Sequence, residues 1–255
     1  VGTAMLDNDI QSVVDFEKVI DEMTAKDMVD FAKEDTEEQI STEDYDDTGS
    51  SEAKYDPEGI FGIDVSRYQK DIDWEMVAAE GVKFAIIRCG YRGSKSGVLV
   101  EDPYFRKNIE GAKQAGIKVG VYFFTQAISE TEAVEEASMV AKLCSEYELD
   151  YPVFIDTESA GGRADTLDKE LRTNIIDAFC KTVKGAGYNP GVYASRCWFQ
   201  EKLDDSRLQN YVLWDAEYRS EPLYEGNYKI WQYSSNGTLR GIPARVDLDI
   251  SYTEF

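Results

Sequence analysis

Residues 151–159 read YPVFIDTES, an apolar run that ends in two carboxylates, Asp156 and Glu158, two residues apart. Such a pair is common by chance in a chain with 50 Asp and Glu among 255 residues. The setting is unusual, because a near-continuous apolar run is typical of a strand buried on both faces of a parallel sheet. Side chains two apart on a strand point the same way, so Asp156 and Glu158 are predicted to face together.

Runs of the same kind recur along the chain after residue 59. Helical patterns separate the first five, over residues 73–80, 104–115, 130–147 and 167–186, and the later spacers are short or absent. This alternation predicts an α/β fold, a TIM-like barrel of eight strands whose last third has lost most of its outer helices. The eight runs are FGIDVS (61–66), KFAIIRCG (83–90), IKVGVYFF (117–124), YPVFIDTE (151–158), PGVYAS (190–195), YVLWDAEY (211–218), YKIWQYSS (228–235) and RVDLDISY (245–252).

The first 58 residues differ in composition from the rest of the chain. They carry 19 acids and 4 bases, a net charge of −15 out of −23 for the whole chain. Apolar residues recur at helical spacing over 6–33, whereas residues 35–57 are acidic and rich in Ser and Thr. We expect an acidic, partly helical N-terminal extension and linker over 1–58 and a barrel domain over 59–255.

The composition also limits the chemistry and the partners. The chain has no histidine, which excludes a Ser-His-Asp triad and every His-liganded metal site. Its four cysteines form no C-x-x-C pair, so we expect no metal and no cofactor. Buried free thiols are the simplest interpretation of the cysteines, and a single disulfide is the alternative that the sequence leaves open. The negative charge disfavours nucleic acid, and no apolar run is long enough for membrane insertion.

Acidic residues follow several of the predicted strands. In a barrel of this kind, the carboxyl ends of the strands carry the active site, so these side chains are predicted to converge. Converging buried carboxyls raise one another's pKa, which keeps a proton available for glycoside hydrolysis. The acids at strand ends are Asp64, Asp156, Glu158, Asp215, Glu217, Asp247 and Asp249.

Aromatic residues end the same strands. Rings with a polar handle suit a cleft that binds the apolar faces of sugars, although packing in the barrel core explains a ring on a strand equally well. Tyr122 and Trp231 are the better candidates for substrate binding. The remaining aromatic residues at strand ends are Tyr91, Phe124, Tyr193, Trp214, Tyr218 and Tyr233, of which Tyr91, Tyr193 and Trp214 are the further candidates for substrate binding.

Residues 60–255 resemble glycoside hydrolase family 25, the barrel-type lysozymes that act as N-acetylmuramidases. Seven segments in the same order carry this resemblance. They are GIDVSRYQ (62–69), DPYFRKNIEGAKQAGIKVGVYFF (102–124), FIDTE (154–158), GVYAS (191–195), LWDAEY (213–218), WQYSSNG (231–237) and VDLDIS (246–251).

The resemblance implies five β/α units followed by three strands, and it implies roles for single residues. Glu158 is similar to the family's proton donor, while Asp64, Asp156 and Asp247 are similar to the acids that support it. Asp249 is the second choice for the place given to Asp247. Tyr122 is similar to a tyrosine of the family's cleft, and the residue after it is Phe123, where many members have histidine.

The implied activity is hydrolysis of the β-1,4 bond between N-acetylmuramic acid and N-acetylglucosamine in bacterial peptidoglycan. We therefore expect a secreted bacterial enzyme that acts on cell-wall glycan strands as a monomer. One alternative is a barrel glycosidase for another N-acetylated glycan, such as chitin. A second alternative is a catalytically silent barrel that only binds wall glycan. Whether the reaction is retaining, inverting or assisted by the substrate's own N-acetyl group stays open.

Overall fold

The computed structural model describes residues 59–255, and the predicted N-terminal extension lies outside the described residues. Nine strands form one sheet, and eight of them close into a barrel, as predicted. The strands are β1 (Ile60–Val65), β2 (Phe84–Arg92), β3 (Leu99–Glu101), β4 (Lys118–Phe124), β5 (Val153–Asp156), β6 (Pro190–Ser195), β7 (Val212–Ala216), β8 (Tyr228–Gly237) and β9 (Val246–Ser251). Around the barrel the order is β1, β2, β4, β5, β6, β7, β8 and β9, and β9 pairs with β1.

Helices follow the first five strands of the barrel. Within residues 59–255, no helix separates β7, β8 and β9. The predicted (β/α)5(β)3 architecture is confirmed, with helix ends within three residues of those expected. The helices are α1 (Trp74–Ala79), α2 (Phe105–Gln114), α3 (Glu130–Cys144), α4 (Lys169–Gly185), α5 (Arg196–Glu201) and α6 (Asp205–Leu208).

Local sequence signals set where the main helices begin and end. Asp73, Ser129 and Asp168 each cap a helix, because their side chains accept the backbone N–H of the residue three positions on. Gly116 and Gly187 follow α2 and α4 with φ of 76° and 94°. This left-handed conformation favours glycine, which is why the chain can turn there from helix into strand.

Side chains fill the inside of the barrel beneath its upper rim. The packing leaves no room for larger residues: a Cβ at Gly191 would lie 2.3 Å from Cε1 of Phe154. The barrel is therefore solid below the rim, as expected when bulky residues fill such an interior. The interior cluster consists of Phe84, Ile86, Tyr151, Phe154, Tyr193, Trp214, Ala216 and Ile230.

The last strand, β9, runs antiparallel to both of its neighbours, β1 and β8. The sequence analysis placed Asp247 and Asp249 at the carboxyl end of a strand like the others, and this was wrong. Only residues 238–245 join β8 to β9, which is too short for a parallel crossover. Asp247 nevertheless reaches the rim, because it lies opposite Asp64, and Asp249 lies one layer deeper, opposite Gly62.

One strand was not predicted. The three residues of β3 pair antiparallel with the end of β2, and β3 has no other partner in the sheet.

The four cysteines are all free thiols, and Cys89, Cys144 and Cys180 are buried. Among residues 59–255, no helix is long and apolar enough to cross a membrane.

Candidate active site

A cavity of about 470 Å³ opens at the carboxyl ends of the parallel strands. Four carboxyl groups line it, those of Asp64, Asp156, Glu158 and Asp247. These are the four acids that the sequence analysis named as catalytic. They come from the ends of β1 and β5, from the loop after β5, and from the start of β9. The fold therefore gathers residues up to 183 positions apart in the chain around one space.

Asp156 and Glu158 face this cavity together. Asp156 is the last residue of β5 and lies opposite Tyr193 on β6. The next backbone N–H, at Thr157, still donates to the carbonyl oxygen of Tyr193 over 3.2 Å. Strand geometry thus continues past the end of β5, so the side chains of 156 and 158 stay on the same side. Asp156 is buried, while Glu158 is partly exposed to the cavity.

Asp64, Asp247 and Asp249 form a group of carboxyls on the β1–β9 side of the site. Burial is the largest cause that raises the pKa of each one well above its usual range. Neighbouring negative charges add to the effect: Asp249 acts on Asp64, Asp64 on Asp247, and Asp247 on Asp249. The charge of Glu158 also reaches Asp64 and Asp247. Burial and mutual repulsion therefore favour the protonated form of these carboxyls more than water does.

Gln232 on β8 connects the acids to the aromatic wall. Its Nε2 donates to Oδ2 of Asp64 over 2.7 Å. Its Oε1 accepts the phenol hydroxyls of Tyr193 and Tyr218, each over 2.9 Å. The two hydroxyls fix the orientation of the amide, so an N–H must point at Asp64. The sequence analysis did not single out Gln232.

Three of the predicted aromatic residues, Tyr122, Tyr193 and Trp214, line the cavity. Trp214 packs edge-on against Tyr122 and Tyr193, with ring centroids 6.2 and 4.6 Å apart. Burial raises the pKa of the Tyr122 phenol well above its usual range, which keeps its hydroxyl neutral and able to donate. The wall thus combines ring surface with hydroxyl donors.

Trp231 and Tyr91 do not line the cavity, which goes against their expected place in the cleft. Trp231 packs with Tyr233 and Ile250, and its Nε1 donates to the backbone carbonyl of Glu217 over 2.8 Å. Strand alternation explains this placement, because its neighbour in β8, Ile230, points into the barrel. Tyr91 is buried, and its hydroxyl accepts a hydrogen bond from Arg67 over 3.0 Å.

Asp215 and Glu217 also lie outside the cavity lining, although the sequence analysis grouped them with the other acids. Trp214 and Ala216 belong to the barrel interior, so alternation turns Asp215 to the outer face of β7. Glu217 forms an ion pair with Arg196 over 3.1 Å. Burial and the charge of Glu217 raise the pKa of Asp215 to about 8.

The loop after Glu158 is held by Asp165. One oxygen of Asp165 accepts the hydroxyl of Ser159 over 2.9 Å, and the other accepts the backbone N–H of Ala160 over 3.2 Å. Ser159 and Ala160 both line the cavity. A single carboxylate therefore fixes the turn that begins immediately after Glu158.

Several polar residues of the lining were not predicted. Arg88 on β2 is buried, and its Nε forms an ion pair with Asp102 over 2.7 Å. A charged residue inside an otherwise apolar run, as in FAIIRCG, was the signal for an inward-facing functional position. Tyr218, one of the aromatic residues expected at a strand end, also lines the cavity, and the unpredicted polar residues of the lining include Ser66, Tyr68, Gln69, Arg88, Gln232, Ser235 and Arg245. Within the described part of the chain, no group of His, Cys, Asp and Glu is arranged to hold a metal ion.

Comparisons with known proteins agree with this geometry. The model of the glycosyl hydrolases family 25 matches residues 63–242. The autolytic lysozyme of Clostridium acetobutylicum is 29% identical over 190 residues, which cover 74% of this chain and 54% of that protein.

Solved structures show the same likeness. The modular autolysin LytC from Streptococcus pneumoniae, solved with a synthetic peptidoglycan ligand, superimposes with a TM-score of 0.69 at 32% identity, over 76% of this chain and 47% of that one. A family 25 glycosyl hydrolase from Bacillus anthracis superimposes with a TM-score of 0.64 at 25% identity, over 81% of this chain and 96% of that one. This chain spans about half the length of LytC. The family match covers most of the chain and the barrel agrees with it, so the chain belongs to glycosyl hydrolase family 25.

Proposed function

We propose that this chain is a lysozyme-type N-acetylmuramidase, which hydrolyses the β-1,4 bond between N-acetylmuramic acid and N-acetylglucosamine in bacterial peptidoglycan. The observation that carries the proposal is the position of Glu158, which lines one cavity together with Asp64, Asp156 and Asp247. Glycoside hydrolysis needs a proton donor beside a stabilising anion, and we propose that Glu158 and Asp156 fill these two roles. LytC, which was solved with a peptidoglycan ligand, supports the choice of substrate.

In this proposal Glu158 is the general acid. Of Asp156 and Glu158, Glu158 is the more exposed to solvent, so a glycosidic oxygen can approach it. Asp156 is buried two residues earlier on the same side, where it can face the sugar while Glu158 faces the leaving oxygen. Asp64 and Asp247 complete the cluster of four acidic side chains that lines the cavity.

The reaction is proposed to use the substrate's own N-acetyl group. Glu158 gives its proton to the departing O4 as the C1–O bond breaks, and the acetamido oxygen bonds to C1. Asp156 stabilises the positive oxazolinium that results. Water then attacks C1 and returns a proton to Glu158, so the configuration is retained. NMR of the first-formed product checks this route, because the β-anomer is expected and the α-anomer contradicts it.

We also propose that the protein acts as a monomer on the bacterial wall after export. The acidic surface suits soluble or wall-bound glycan better than a polyanion such as nucleic acid. Fractionation of the producing cells, with gel filtration of the purified protein, tests both statements. Protein found only in the cytosol, or eluting as a dimer, contradicts them.

The bond specificity is tested by digestion of purified peptidoglycan and of chitin oligomers, followed by mass spectrometry of the fragments. We expect fragments with reducing N-acetylmuramic acid ends and intact chitin oligomers. Cleavage of chitin with intact peptidoglycan would instead identify a glycosidase for another glycan. Binding to sedimented walls without any fragment would identify a barrel that only binds.

A further inference from the structure

We propose that Asp64 and Asp249 share a single proton, and that Asp249 is a positioning residue that sets the charge of Asp64 from below the cavity. Asp64 lines the cavity, whereas Asp249 does not and is 0% exposed. The structural part of this inference stands by itself. Its consequence for the reaction rests on the proposed function of the site.

The two carboxyls meet because β1 and β9 are antiparallel neighbours. Asp64 lies opposite Asp247, and Asp249 lies opposite Gly62, so the side chains of all three aspartates are on the same face of the sheet. The carboxyls of Asp64 and Asp249 are in hydrogen-bonding contact. Both are deep in the protein, since Asp64 is 5% exposed.

Each carboxyl accepts an N–H from a neighbouring side chain. Gln232 Nε2 donates to Oδ2 of Asp64 over 2.7 Å. Trp214 Nε1 donates to Oδ1 of Asp249 over 2.9 Å. These donors hold the two carboxyl planes in place and leave one oxygen of each free to meet the other.

The remaining oxygen of Asp249 supports a proton between the pair. Oδ2 of Asp249 is buried, and no N–H or hydroxyl of the described residues donates to it. An ionised carboxylate only accepts, so two ionised carboxylates in contact would repel and leave this oxygen unsatisfied. One proton between Asp64 and Asp249 satisfies the oxygen and removes one of the two charges.

The surrounding groups favour keeping this proton. Burial raises the pKa of both carboxyls; the charges of Asp249 and Glu158 raise that of Asp64 further, and the charge of Asp247 raises that of Asp249. The phenols that interact with the pair are neutral: that of Tyr122 lies near Asp64, and that of Tyr233 lies near Asp249. Arg88, the cation on β2, lines the same cavity and is ion-paired with Asp102.

The shared proton has a consequence for the reaction. It gives the floor of the cavity one delocalised negative charge instead of two, which limits the repulsion on Asp156 and Glu158. An Asp249→Asn substitution keeps an oxygen for Trp214 and turns an N–H toward Asp64, so Asp64 would ionise without sharing. The acid limb of the pH profile of kcat/KM is then expected to move to lower pH by about one unit.

The proton itself is tested by infrared spectroscopy of the full chain near neutral pH, with aspartate labelled at its carboxyl carbon. Asp64→Asn and Asp249→Asn are each expected to lose the signal of one protonated carboxyl, and the double variant is expected to lose no more than either alone. Asp215→Asn is the matched control: it removes a protonated carboxyl outside the barrel and leaves the shared signal in place. An unchanged signal in Asp249→Asn, or loss of two protons in the double variant, overturns the proposal.

Circular dichroism checks that the variants fold. Should Asp249→Asn not fold, carbon NMR of the wild type gives the same answer, because a shared proton makes both carboxyl carbons respond to one titration step. Separate, independent steps contradict the proposal. Neither spectroscopic result depends on activity, so absence of peptidoglycan cleavage would refute the proposed function without affecting this test.

Discussion

Gln232 Nε2 lies 2.7 Å from Oδ2 of Asp64, at the end of an amide whose oxygen is held by two phenol hydroxyls. The bond links the last third of the barrel to its first strand, across 168 residues of sequence. It stabilises the ionised form of Asp64 against the burial and the negative neighbours that oppose it. The charge state of the site thus depends on a neutral side chain.

A Gln232→Glu substitution tests this dependence. It keeps the shape of the side chain but replaces the N–H donor with an acceptor, which would leave Asp64 facing another carboxyl. We expect kcat/KM on peptidoglycan to fall by about 10- to 100-fold. We also expect the acid limb of its pH profile to move to higher pH. Wild-type kinetics in this variant, with an unchanged pH profile, would show that the bond does not matter to the reaction.

Asp165 is expected to act on the reaction without touching the substrate. Asp165→Ala removes the hydrogen bonds to Ser159 and Ala160, which releases the turn after Glu158. We expect kcat to fall by about tenfold, since small displacements of a catalytic group are costly. Asp168→Ala is the matched control. It removes the cap of α4, so it should cost about 1 kcal/mol of stability and leave kcat unchanged.

If both variants lose stability but neither loses kcat, Asp165 has only a structural role. Steady-state kinetics and urea unfolding of the two proteins distinguish these outcomes.

Asp215 is expected to make the protein less stable as the pH rises. Its pKa is about 8 in the folded state, raised by burial and then by Glu217, with Arg196 opposing. The folded state therefore holds a proton that the unfolded chain releases near pH 4. The contribution of this carboxyl to the free energy of unfolding is fully present below about pH 4. It then falls by at most about 1.4 kcal/mol per pH unit until about pH 8.

Urea unfolding of the wild type and of Asp215→Asn at pH 5 and pH 8 measures this effect. We expect the variant to lose less stability than the wild type between the two pH values. Equal losses would show that Asp215 is ionised in the folded protein.

Tyr122 and Trp231 were equal candidates in the sequence, and the structure separates them. Tyr122 lines the cavity, whereas Trp231 is bonded to the backbone of Glu217 outside it. Tyr122→Phe is expected to lower kcat/KM about tenfold with little change in Tm, because a hydroxyl donor leaves the site. Trp231→Phe is expected to cost about 1–2 kcal/mol of stability and to leave KM unchanged. The opposite pattern would place substrate at Trp231.

Much of this fold could be read from the sequence because its signals are local. Near-continuous apolar runs, helical spacing between them and glycines such as Gly116 predicted the eight strands and the four helices between the first five, and the family resemblance added the count of five β/α units. The pair Asp156 and Glu158 was also predictable, since one strand fixes the direction of both side chains. The N-terminal extension and the domain boundary near residue 58 stay predictions.

Other features depend on contacts between distant segments. The antiparallel direction of β9 follows from the connection between β8 and β9, which is too short for a parallel crossover. The apolar runs of the sequence show where strands lie but not in which direction they run. The facing of Asp215 and Trp231 depends on which alternate residue enters the barrel, and in apolar runs both alternatives look alike. Gln232 gave only a weak signal, as a lone polar residue between aromatic ones in WQYSSNG, and its role follows from partners on β1, β6 and beyond β7.

The central claim is that Glu158 is the proton donor of a muramidase. Its most direct test is the release of reducing ends from purified peptidoglycan by the wild type and by Glu158→Gln, measured side by side on proteins of equal Tm. Glutamine keeps the shape of the side chain but has no proton to give, so we expect activity in the wild type and a loss of at least about 100-fold in the variant. Turnover in Glu158→Gln equal to that of the wild type would contradict the account.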